Sequence, residues 1–158
     1  MGVLGEIKWY SKLDLAEHQL NRAINLYLDE KDFISSITLA GAAEELLGKI
    51  LNQVGVKNAL DEYVDSFNAF GNELKDYEKW FVSQFNYYKN NLKHLEVKQV
   101  KNSPFANDPP PIDIPIYASA VTDVIHRALT NHSRLNRQSE FCIEKLNPNI
   151  NRFYASEQ

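Results

Sequence analysis

Between positions 81 and 95 the apolar residues Phe81, Phe85, Tyr88, Leu92 and Leu95 recur at alternating steps of four and three. That spacing lines side chains along one narrow strip of an α-helix. No strand-like hairpin pattern and no internal repeat accompanies it, so the chain is expected to fold by packing amphipathic helices against one another.

The punctuation of the chain divides it into such helices. All six glycines lie within the first 71 of 158 residues, and five of the six prolines lie between positions 104 and 115. Ser11-Lys12-Leu13-Asp14 reads as a capping box opening a first helix, whose stripe Leu13, Ala16, Leu20, Ile24 and Tyr27 carries it to about Leu28. Asp32 is placed to cap a second helix with the stripe Phe33, Ala40, Leu47, Leu51 and Val54, and Gly55 to end it in a left-handed turn. Within it, Ala40-Gly41-Ala42-Ala43 lets a neighbouring backbone approach closely, which predicts a central position for this helix.

Asn58 caps a third helix that stops near Gly71, and a fourth begins at about Asp76 with the strip Phe81 to Leu95 as its buried face. Residues 102–115 lack periodicity and include Pro109-Pro110-Pro111, the composition of an extended crossover loop within one domain. Pro115 then suits the first position of a fifth helix carrying Tyr117, Val121, Val124 and Ala128. A last short helix is expected to end at Leu146, before Asn147-Pro148. The expected architecture is all-α: one domain over 1–158, a bundle of about five helices.

Composition narrows the function classes. A formal charge of −4 provides no global field to recruit nucleic acid, although a local basic face remains open. The single cysteine, Cys142, supports neither an internal disulfide nor a Cys-rich zinc site and suits a reducing compartment. No apolar run approaches the roughly 18 residues that cross a bilayer, and the start of the chain lacks a signal-peptide core, so a cytoplasmic protein without a membrane partner is expected. No glycine follows Gly71, and no phosphate-binding loop or dinucleotide fingerprint occurs, so no nucleotide cofactor is expected.

Metal chemistry finds little support in the spacing. Paired Glu-x-x-His motifs are absent, and no two of His18, His94, His126 and His132 stand four apart on one helix face. Three of the four are read as ordinary surface or boundary residues, and no metal ligand is assigned.

The segment 85–94 stands apart. Lys89, Lys93, Lys98 and Lys101 face only Glu96 in an otherwise acidic chain, a basic patch that a phosphate-bearing partner could use. On an ideal helix Tyr87, Asn90, Lys93 and His94 point away from the apolar strip, which is equally the pattern of a solvated face. Glu44 and Glu45 point in different directions. Glu44 either reaches toward the fourth helix or is a partly buried carboxylate paired with Arg22 or with a cation of another helix. Arg127, Arg134 and Arg137 read as solvent-facing cations near a helix end, and Trp80, Phe81, Phe85, Tyr87 and Tyr88 as core and dimer interface.

These residues together resemble the HEPN superfamily of helical domains, many of which act in prokaryotic toxin–antitoxin and antiviral systems. The stretch Ile37-Thr38-Leu39-Ala40-Gly41-Ala42-Ala43-Glu44-Glu45-Leu46-Leu47-Gly48-Lys49 is similar to the family's central helix. Lys89-Asn90 followed by His94 is similar to its Arg-polar…His signature, with Lys in place of Arg. The resemblance implies a metal-independent endoribonuclease in which His94 is general acid or base, Lys89 stabilises charge on phosphate oxygens and Asn90 orients one or the other. Lys93, Glu44 and Tyr87 would line the binding surface. Lysine is a point charge rather than a two-pronged donor, so the substitution implies weakened catalysis.

Lys89 and His94 also lie about 140° apart on an ideal helix, so either the helix ends near Lys93 or a two-fold homodimer completes the site. The expected function is RNA or nucleotide binding with attenuated cleavage. The alternative is a non-catalytic dimeric accessory bundle that docks a partner such as a nucleotidyltransferase.

Overall fold

A computed structural model describes Gly5 and residues 7–71, 77–93 and 113–158. His94, Leu95, Asp76 and most of the Pro-rich segment, through position 112, lie outside the described residues. Among those described, every regular element is helical: α1 (Lys12–Asn25), α2 (Phe33–Gln53), α3 (Ala59–Asn68), α4 (Glu78–Phe85), α5 (Tyr87–Lys93), α6 (Ala118–Ser133) and α7 (Asn147–Ser156). Two single π-turns, Leu26–Glu30 and Cys142–Leu146, extend α1 and lead into α7.

Local chemistry sets most boundaries. The Ser11 hydroxyl accepts from the Asp14 amide at 3.0 Å while Asp14 Oδ2 accepts from the Ser11 amide at 3.1 Å, a reciprocal cap that starts α1. Asp32 and Asn58 accept from the amides of Ser35 and Asp61 and start α2 and α3. Gly55, at φ +75°, ends α2: its own amide reaches the Asn52 carbonyl at 3.2 Å and the Val56 amide reaches the Leu51 carbonyl at 2.9 Å. A side chain at Gly55 would strain that left-handed turn.

α2 is the central helix and packs along both α1 and α6. Ala40 and Ala43, both fully buried, form its small-residue face, and Leu47 continues the same face into a core shared with Leu20, Ile24, Val121, Ile125 and Ala128. α7 and its π-turn close the far side against α1, where Phe153 is buried. α3 and α4 pair by aromatic stacking, Phe67 on Phe81 at 4.1 Å and Tyr63 on Phe85 at 5.2 Å.

Several expectations change. Seven helices are described rather than about five, because the fourth predicted helix breaks at Asn86 into α4 and α5, and because the chain does not stop at Leu146. The Cys142–Leu146 π-turn runs directly into α7, and Pro148 follows it immediately, at the point where the regular i→i−4 ladder is already interrupted. Pro115 precedes α6 instead of opening it, and its carbonyl accepts from the Tyr88 hydroxyl at 3.0 Å while Tyr117 takes the N-cap position. The strip Phe81, Phe85, Tyr88 and Leu92 is only half-buried: no residue of α4 or α5 is fully covered, because these short helices lie on the flank of the bundle.

One buried amide ties three helices together. Asn131, 2% exposed on α6, donates from Nδ2 to the Glu44 carbonyl of α2 at 3.2 Å and accepts from the Ala59 amide of α3 at 2.8 Å. Asn131→Ala leaves the Ala59 amide, at the first position of α3, without its acceptor and is expected to cost about 1–3 kcal/mol, read as a lower urea midpoint. An unchanged midpoint would mean that α3 is not held through this side chain.

Candidate functional site

The break at Asn86 positions the predicted site. α4 ends at Phe85, Asn86 turns with φ −95° and ψ 5°, and α5 starts at Tyr87, its second turn secured by the Asn90 amide on the Asn86 carbonyl at 2.9 Å. α5 rests on α2 through Tyr88 and Leu92, which pack against the core. Tyr87 and Asn90 are half-buried and Lys93 is exposed.

Lys89 turns toward α2. Its ammonium lies 3.5 Å from Glu45 Oε2, and Glu45 Oε1 accepts from Lys49 at 2.7 Å. The Lys49 hydrogen bond holds the Glu45 carboxyl below the usual carboxylate range despite partial burial, with the charges of Lys89, Lys49 and Lys93 acting in the same direction. A polar depression of about 190 Å³ opens beside this trio, lined by Asn52, Asn58 and Asn86 as well. Its donors are amides and ammonium groups, suited to anionic oxygens, and Glu45 competes for the same cations.

Glu44 does not join Lys89. Its carboxylate is taken by Arg127 of α6, with Nε to Oε1 at 2.9 Å and Nη2 to Oε2 at 3.4 Å. The pairing reading of Glu44 therefore holds with a different partner, since Arg22 instead meets Glu30 at 2.9 Å. The expectation of a solvent-facing Arg127 is overturned: the residue is 2% exposed. It also contacts Asp123, donates to the Phe85 carbonyl at 3.1 Å and lies 5.2 Å over the Phe85 ring. By holding that carbonyl, Arg127 anchors the end of α4, just before the helix α5 that carries Lys89.

Arg134 bonds Glu62 at 2.6 Å and the Lys57 carbonyl, tying α6 to α3. Arg137 donates from Nε to Glu17 Oε1 at 2.9 Å. Glu17 belongs to a second group that the sequence did not reveal, with His132 and Cys142, all three buried. Burial of His132 overturns its assignment as a surface or boundary residue; only the meeting of α1, α6 and the second π-turn covers it. Burial pushes the Glu17 carboxyl up, but hydrogen bonds from Arg137, Cys142 and His132 outweigh it and leave the group below its ordinary value. Burial raises the Cys142 thiol.

The structure thus brings Lys89, Asn90, Lys93 and Tyr87 onto one short helix, joins Lys89 to Glu45, and assigns Glu44 to the core. His94 lies outside the described residues. No helix among the described residues is long and apolar enough to cross a membrane. No protein-family model, curated protein or solved structure matches this chain.

Proposed function

We propose that this chain is a HEPN-like, homodimeric RNA- or nucleotide-binding protein of the cytoplasm, with a weakened metal-independent endoribonuclease centre at Lys89, Asn90 and His94. It would serve in a toxin–antitoxin or phage-defence system. The observation that carries this reading is the gathering of Lys89 and Lys49, with Lys93 close by, beside an amide-lined depression in a chain of net charge −4. A phosphodiester entering there exchanges Glu45 for its own oxygens on Lys89. The Lys89 contact is the longer of the two lysine contacts to Glu45, 3.5 against 2.7 Å, and so the one more readily exchanged. His94 then moves the proton of a ribose 2′-hydroxyl while Lys89 meets the charge that grows on the phosphate.

A second reading is favoured by the same ion pair. With Glu45 already on Lys89, that ammonium is partly compensated in the free protein, which suits a non-catalytic dimeric accessory bundle that docks a protein partner such as a nucleotidyltransferase.

RNA cleavage without added metal separates the two. Slow cleavage by the wild type, reduced about 10²-fold or more in His94→Ala, is expected for the enzyme. Glu45→Gln should tighten RNA retention by releasing Lys89. Equal inertness of wild type and His94→Ala across RNAs and pH values would remove the catalytic assignment. Failure of both wild type and Glu45→Gln to retain RNA would remove the binding assignment with it.

A further inference from the structure

Glu17 on α1, His132 on α6 and Cys142 at the start of the second π-turn converge in the core from three separate elements. His132 Nε2 lies 3.2 Å from Glu17 Oε1 and 3.6 Å from Cys142 Sγ, and one donor atom from each residue lies within 4.8 Å of the other two. Zinc–sulfur bonds of about 2.3 Å and zinc–nitrogen or zinc–oxygen bonds of about 2.0–2.1 Å set neighbouring ligand atoms of a tetrahedral site roughly 3.3–3.6 Å apart. The two observed separations sit close to that interval.

A second observation points to a missing cation. Glu17 Oε2 is buried and has no hydrogen-bond partner among the described residues, while Oε1, the oxygen that faces His132, is also held by Arg137 at 2.9 Å. A bare carboxylate oxygen in a closed core is costly, and native interiors rarely leave one without a partner or an ion. Arg137 stands where an outer-shell donor orients a ligating carboxylate, and its own charge is offset by Asp14 at 3.6 Å.

We infer that Glu17, His132 and Cys142 bind a zinc ion. Cys142 ligates as thiolate, its proton passing to solvent; His132 offers the lone pair of Nε2, and Glu17 one carboxylate oxygen. Three protein ligands leave the fourth position to a water. His132 and Arg137 also line a surface groove of about 270 Å³ with Asn136, Gln138 and Tyr154, so the cluster borders it through these two side chains. The donor set of thiolate, imidazole and carboxylate selects zinc over magnesium or calcium. This site shares no residue with the Lys89 depression. A search for two histidines on one helix face does not reach it, because each ligand comes from a different element.

The test uses the full chain, produced in zinc-supplemented medium and purified without chelator. Elemental analysis is expected to give about one zinc per chain, and exchange for cobalt(II) a thiolate-to-cobalt charge-transfer band. Cys142 is the only cysteine, so the band reports this site even if a Cys142→Ser variant fails to fold. Arg137→Gln should weaken zinc retention against a competing chelator by about 10–100-fold. Protein that holds far less than one zinc per chain after incubation with the metal, or that takes up cobalt without the thiolate band, overturns the inference.

Discussion

Arg127→Ala is expected to lower the stability of the folded chain by about 3–5 kcal/mol, more than removal of any surface cation. The guanidinium is enclosed, and three acceptors depend on it: the Glu44 carboxylate, the Asp123 carboxylate and the Phe85 carbonyl. Truncation leaves Glu44, 8% exposed, as an uncompensated buried charge. Equilibrium urea unfolding of three variants separates this from loss of packing. Arg127→Ala should be the most damaged, and Glu44→Leu combined with Arg127→Met should recover much of the loss, because burying neither charge is better than burying one. Arg22→Ala, which breaks the exposed pair with Glu30, should stay within about 1 kcal/mol of wild type. If Arg127→Ala unfolds at the wild-type midpoint, the buried pair does not stabilise the bundle.

Phe153→Ala should be of similar severity, about 3–5 kcal/mol, for a reason of shape instead of charge. The ring is fully buried, with Tyr27 6.0 Å away in the first π-turn and His126 5.1 Å away on α6. Deleting it leaves a void at the seam between α7, α1 and α6 that rigid helices fill only in part. Thermal unfolding reads the effect, and Phe153→Leu should fall between the two. A Phe153→Ala protein that melts like wild type would mean that α7 is not docked.

The cost at Phe153 also marks where sequence patterning stops being informative. Ser11, Asp32, Asn58 and Gly55 announce their helix ends because capping is local, settled by residues three or four positions apart. Pro148 looks like a terminator on the same local rule, and misleads because the π-turn just before it has already interrupted the regular ladder, so the winding passes through. Asn86 was invisible for the opposite reason: the apolar strip from Phe81 to Leu92 runs across the break without a change of spacing.

Long-range partnerships were less legible still. Glu44 shows as an off-centre acid, but nothing local joins it to Arg127, 83 positions later, and helix-end position alone gave that arginine the wrong environment. Glu45 differs from Glu44 in the sequence only by its direction on the helix, and it is the acid that meets Lys89. The Glu17, His132 and Cys142 group spans separations of 115 and 10 residues and three elements, so no motif could contain it.

The two π-turns have a consequence for the tolerance of the chain to change in length. In each, an amide reaches back five residues, from Lys31 to the Leu26 carbonyl and from Asn147 to the Cys142 carbonyl, so each turn accommodates one residue more than regular winding would. Excising the surplus residue from 142–146 would turn the wide turn into regular winding and leave Phe153 in its seat, whereas excising a residue between 147 and 152 would rotate Phe153 by about 100°, out of its seat. The wide turn thus works as slack, taking up one residue of length that ordinary winding would pass on to the seat of the C-terminal helix on α1.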